Sequence, residues 1–117
     1  MAKTDKASLL QGTLDMLVLR SLLPGAAHGY DIARRIQATS DDVLSVEEGS
    51  LYPALHRMER RGWIAAEWGK SESNRRAKFY RLTRSGRAQL KREVDAWQAL
   101  VHSITRVLTA PATEARS

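Results

Sequence analysis

Apolar residues along this chain fall into blocks whose spacing changes from one to the next. Residues 9–23, LLQGTLDMLVLRSLL, are apolar on most faces before Pro24-Gly25 halts the run, which predicts a helix covered on both sides. Tyr30, Ala33 and Ile36, with Ile32 beside them, recur at helical spacing against Asp31, Arg34, Arg35 and Gln37. They predict a short amphipathic helix over 30–39. Ser40-Asp41-Asp42 reads as a turn, and Glu47-Glu48 suit the positive end of a third helix. In that helix Leu51, Ala54, Leu55 and Met58 share one face, so Gly49, Pro53, His56, Arg57 and Arg60 look the other way, with Tyr52 at the border. Proline is comfortable only in a first helical turn, so Pro53 places the regular start near Gly49, and Gly62 is a natural stop.

Two β-favouring runs follow, Ile64–Trp68 and Ala77–Leu82, around the charged, turn-rich GKSESNRR. They predict a hairpin with a basic tip. Three helices and then a hairpin is the winged helix-turn-helix order, in which the third helix enters a major groove. Thr83 is a candidate N-cap for a last helix reaching about Leu108, which Thr109-Ala110-Pro111 ends. Along it Leu90, Val94, Trp97, Val101, Ile104 and Leu108 repeat at alternating steps of four and three, the a/d seam of a coiled coil. Such a helix is about 38 Å long, more than so small a domain covers. The seam is therefore expected to meet a second copy, with Leu14 and Leu17 of the first helix joining the bundle. A helix folded back onto its own domain is the alternative. The fold class is mainly α with a small β-hairpin. A winged helix-turn-helix domain spans 1–83, a C-terminal dimerisation helix 84–108 and a disordered tail 109–117.

Charge narrows the choice of partner. The 117 residues carry a net +6, but between Gly49 and Arg92 twelve Lys/Arg stand against three acids, a local +9 that leaves the rest at −3. A basic block in a mildly acidic chain suits a polyanion, nucleic acid first and an anionic membrane surface second; a merely solvated face stays open. There is no cysteine, so disulfides, thiolate metal sites and cysteine nucleophiles are excluded. His28, His56 and His102 fall on separate elements and no glycine-rich phosphate loop is present. Neither an enzyme nor a metal or cofactor site is expected. No run reaches the ~18 apolar residues of a membrane span. Met1–Leu10 also lacks the apolar stretch of a signal peptide, so a cytoplasmic protein is expected.

With the third helix in a major groove, Ser50, Tyr52, Pro53, His56 and Arg57 would reach bases and phosphates, Arg57 bonding a guanine bidentately. For Tyr52 the equal alternative is a ring that closes the core with only its hydroxyl outward, and for His56 a plain surface position. Lys70, Asn74, Arg75, Arg76 and Lys78 on the hairpin are expected at phosphates or the minor groove, against a solvated loop. At the start of helix two a structural role is favoured for His28 and Tyr30, with Gly29 allowing a sharp entry. Trp97 on a symmetric seam lies near its own mate. A packed interface is favoured there over a pair of indoles holding a planar aromatic effector.

His28-Gly29-Tyr30-Asp31-Ile32, the run EGSLYPALHRME from Glu48 to Glu59, Gly62-Trp63-Ile64, Trp68 and Arg81-Leu82-Thr83-Arg84-Ser85-Gly86 together resemble the PadR family of bacterial transcriptional regulators, over roughly residues 9–108. Met58 and Trp63 stand where leucine is common, and Phe79 where a second tyrosine is usual. The resemblance implies a homodimer joined by its C-terminal helices that binds an imperfectly palindromic operator in double-stranded DNA, usually to repress. It also implies that tryptophans of the last helix serve flat, drug-like ligands in some members. The expected function is a sequence-specific transcriptional regulator. A ligand-responsive sensor with an aromatic pocket at the dimer interface, and a winged-helix module that binds another protein, are the alternatives.

Overall fold

Helix α1 covers residues 13–21 of a computed structural model in which residues 13–115 are described; residues 9–12 of the expected first helix lie outside them. The further elements are β1 (Ala27–His28), α2 (Gly29–Thr39), α3 (Glu48–Arg60), β2 (Ile64–Lys70), β3 (Arg76–Leu82), α4 (Arg84–Thr109) and α5 (Ala112–Ala115). Local chemistry explains most of these boundaries. The His28 imidazole caps α2 by accepting from the Asp31 amide at 3.3 Å. Asp41 and Asp42, at φ 58° and 65°, turn the chain out of α2 in the left-handed region that aspartate tolerates better than most residues. Gly62, at φ 77°, ends α3 as the left-handed residue past a helix C-terminus. Pro53 lies well inside α3, which begins at Glu48 and not after it. Pro53 and Gly49 are both exposed, so water can serve the carbonyl that proline leaves without a donor.

Strand β1 had no counterpart in the sequence pattern. Its two residues pair with Tyr80 and Phe79, giving a three-stranded antiparallel sheet in the order β1-β3-β2. The hairpin β2/β3 runs from Ile64 opposite Leu82 to Lys70 opposite Arg76. Its turn is closed by Ser71 N–H donating to the Arg75 carbonyl at 2.8 Å, with Asn74 at φ 62°. One core joins these layers: Leu14, Val18, Leu19 and Leu22 meet Ile32 and Ile36 of α2, the Leu51 face of α3, and Ile64, Tyr80 and Leu82 of the sheet.

The start of α4 is locked to the end of α3. Thr83 Oγ1 accepts from the Gly86 amide at 3.0 Å and donates to the Gly62 and Trp63 carbonyls at 2.6 and 2.9 Å. Gly86 permits the close approach, because a Cβ there would lie 1.9 Å from the Trp63 carbonyl oxygen. Beyond Val94 the helix leaves the core. The radius of gyration is 17.1 Å, against about 13 Å for a compact chain of this length.

Two expectations are corrected, one for the seam and one for Gly29. Leu14 and Leu90, expected on the dimer seam, are 2% and 7% exposed inside the chain's own core, and Leu17 and Val94 are partly covered at its edge. Within the stretch 109–117, expected as a disordered tail, Ala112–Ala115 form the turn α5. Gly29 allows closeness and not a special entry angle, since a Cβ there would meet the Tyr52 ring tip at 2.7 Å unless that side chain shifted.

Candidate nucleic-acid interface

Helix α3 buries Leu51, Ala54, Leu55 and Met58. At 100° per residue this turns Pro53, His56 and Arg60 directly outward, and all three are exposed. The two flanks differ. On one, Tyr52 leans over Gly29 at the start of α2, with its hydroxyl against that glycine and the residue 40% exposed. On the other lie Ser50, which is exposed, and Arg57, which is not fully so.

Facing α3 across a cleft of about 710 Å³ stands one face of the hairpin. The cleft is lined by Tyr30, Arg34, Tyr52, His56, Trp68 and Arg76, among others. The register explains the grouping: Trp68 lies opposite Lys78, and Lys70 opposite Arg76, so these four alternate onto the same side as Tyr80. Arg76 stacks on Trp68 with its guanidinium carbon 4.4 Å from the ring centroid, and Arg34 lies 5.7 Å from that of Tyr30. Cations seated on aromatic faces stay charged while their reach is restricted. Trp68 and Tyr30 are 57% and 66% exposed, a large aromatic surface for water to cover unless something flat or extended lies across it.

Of the expected contacts, Lys70, Asn74, Arg75 and Arg76 are all exposed at the hairpin end. The left-handed turn also accounts for Asn74 without any ligand. Lys78 is tethered inward, with Nζ 3.1 Å from Glu59 Oε1 and 5.6 Å from the Tyr80 ring centroid. Burial pushes the Tyr80 phenol above its ordinary value, the Lys78 ammonium opposes that rise and Glu59 adds to it, so the ring stays neutral at physiological pH. Arg57 is also engaged: its Nη2 bonds Oδ1 of Asp15 on α1. The structure thus separates Arg57 from the outward row of Pro53, His56 and Arg60.

Spacing alone missed Trp68, Tyr30 and Arg34 as members of this surface. The hairpin register would have signalled Trp68, which is opposite a lysine already suspected; Tyr30 and Arg34 needed the docking of α2 beside α3. Far from the cleft, α4 exposes Trp97, Leu100, Val101, Ile104, Val107 and Leu108. Trp97 also lines a groove of about 240 Å³ with Thr13, Met16, Glu93, Ala96 and Leu100, between α1 and α4. Among the described residues no His/Cys/Asp/Glu group could hold a metal, and no helix is long and apolar enough to cross a membrane.

The model of the transcriptional regulator PadR-like family matches residues 18–92, which hold α2, α3, the whole sheet and the α4 junction. Among solved structures, a PadR family transcriptional regulator from Eggerthella lenta is 30% identical, with a TM-score of 0.78 and 94% of each chain covered. A transcriptional regulator from Clostridium thermocellum is 28% identical, with a TM-score of 0.77 over 85% of this chain and 96% of that one. An uncharacterised protein of Lysinibacillus sphaericus is 29% identical over 92 residues, 79% of this chain and 84% of its own. A winged helix-turn-helix, a basic hairpin face beside an exposed third helix and a family match across both place this chain in the PadR-like family of transcriptional regulators.

Proposed function

We propose that the protein is a homodimeric repressor that binds an inverted-repeat operator, with α3 of each subunit in a major groove and the hairpin against the neighbouring backbone. The observation that carries this reading is the cleft. Its one wall offers Tyr52 and His56 of α3, its other wall the cations and aromatics of the hairpin. In this pose Pro53, His56 and Arg60 meet base edges, with Ser50 and Tyr52 beside them. Arg34, Lys70, Arg75 and Arg76 meet phosphates, and so fix register more than sequence. Lys78 serves chiefly to hold the hairpin to α3 through Glu59.

Pairing of subunits falls to distal α4. Six large apolar side chains left in water there would gain on the order of 1 kcal/mol or more each on burial, and a two-fold partner brings the same stripe. Two α3 helices set about 34 Å apart then read successive major grooves on one side of the duplex. A footprint on DNA upstream of the protein's own gene should show two symmetric half-sites, weakened by His56→Ala and Arg60→Ala. A reporter on that promoter should rise when the protein is removed. Absence of any protection at low ionic strength would sink the reading.

A ligand-responsive form of the same regulator is favoured by one feature, the groove beside Trp97. At about 240 Å³ it falls below the ~300 Å³ of the smallest usual ligand sites, so a planar effector needs the partner's indole as its second wall. Saturable quenching of tryptophan emission by planar aromatics, lost in Trp97→Ala, is the expected sign; its absence leaves a constitutive regulator.

A further inference from the structure

We propose that Asp15 is a positioning residue for α3, holding the Arg57 guanidinium against α1 and so withholding one cation per subunit from DNA. The proposal rests on the DNA-binding reading above and reverses the role that spacing alone gives Arg57.

Placement comes first. Arg57 projects from the flank of α3 next to the outward row of Pro53, His56 and Arg60, on the side opposite Tyr52. Asp15, 42 residues earlier, meets it from α1. A carboxylate bonded to a guanidinium cancels its charge locally and occupies the donors that would otherwise take a phosphate or a guanine. Exposure comes second. The two side chains are 42% and 22% exposed, so the pair is partly screened by solvent and its guanidinium stays within reach of an approaching polyanion. A similar restraint operates on the other flank, where Glu59 ties down Lys78. Two carboxylates thus bracket the outward row and leave Arg60 as its basic member.

The location of Asp15 adds a connection to the rest of the molecule. Thr13 and Met16, on the same helix, line the groove shared with Trp97 and Leu100 of α4. The restraint on Arg57 is therefore mounted on the element that adjoins the proposed subunit interface.

Counterion release gives the test, because each added phosphate contact steepens the slope of log affinity against log salt by about 0.9. The probe is a labelled duplex of random sequence, titrated with the full-length protein by fluorescence anisotropy between 50 and 300 mM KCl, with thermal melts recorded in parallel. Asp15→Asn keeps the shape of the side chain and frees Arg57, so the slope should steepen by about 0.9 per subunit and binding at 50 mM salt should tighten roughly tenfold for each subunit engaged. Asp15→Glu keeps the charge and should behave as wild type. Asp15→Asn combined with Arg57→Gln should return the slope to its wild-type value. An unchanged slope in Asp15→Asn, with only the melting point lowered, would show plain structural glue and overturn the proposal. A slope that stays steep in the double variant would also overturn it, since the added cation would not be Arg57. Wild-type protein that ignores duplex at 50 mM salt would remove the DNA-binding reading itself.

Discussion

The winged part and the distal half of α4 carry the same helical signature with opposite outcomes. In α3, Leu51, Ala54, Leu55 and Met58 are at most 2% exposed. In α4, Trp97, Val101, Ile104 and Leu108 recur at comparable steps and remain 38–77% exposed. Helical spacing defines a face; it does not supply the cover. The cover of α3 comes from α1, α2 and the sheet, which the chain folds back onto it. Past Val94 the helix rises 1.5 Å per residue, and among the described residues only Thr13 and Met16 of α1 flank it, in the groove beside Trp97 and Leu100. The first region is covered within the chain, whereas the described residues leave much of the second in contact with solvent.

The sharpest way to break this contrast is at the junction between the two regions. Gly86→Ala sets a methyl carbon against the Trp63 backbone oxygen, 1.9 Å away before relaxation, and backbone cannot yield as a side-chain tip can. A loss of about 3 kcal/mol or more is expected, seen as a fall of roughly 15 °C in Tm; a wild-type melt would mean that the α4 start is not locked. Next is Ile104→Asp, which on the proposed dimer buries a charge in the seam. Self-association should weaken about thirtyfold, or roughly 2 kcal/mol, by analytical ultracentrifugation, while the unfolding of the winged part is little changed. Unaltered mass would remove distal α4 from the interface. Thr83→Ala deletes the N-cap of α4 together with the bonds to Gly62 and Trp63. It should cost about 1 kcal/mol in urea denaturation, with Thr83→Ser recovering most of it.

The smallest effect belongs to the core face of the sheet. Tyr80 has its pKa raised by burial in the folded state, so the neutral ring favours folding. That contribution is complete below the unfolded tyrosine value of about 10 and disappears as pH climbs through the higher folded value. Wild-type stability should therefore drop between pH 9 and 11 more steeply than that of Tyr80→Phe, measured by urea melts at each pH. Equal slopes would mean that the phenol is not desolvated as the structure has it.

What the amino-acid order determined unaided were features settled within a few residues. The α2 and α3 faces, the Thr83 cap, the Gly62 stop and the two strands of the hairpin all follow from backbone sterics, near-neighbour hydrogen bonds and side-chain periodicity. The basic block was visible in the same way, because charge adds up along the chain without any knowledge of fold. Relations between distant segments were decided only by tertiary structure. Strand β1 exists because Ala27 and His28 arrive beside Tyr80 and Phe79, and two residues carry no periodicity to announce it. Leu90 and Leu108 share one seam in the sequence, yet only the first reaches the core. Arg57 faced outward on a helical wheel, but a wheel knows nothing of Asp15; a long side chain goes to whichever charge packing brings within its reach.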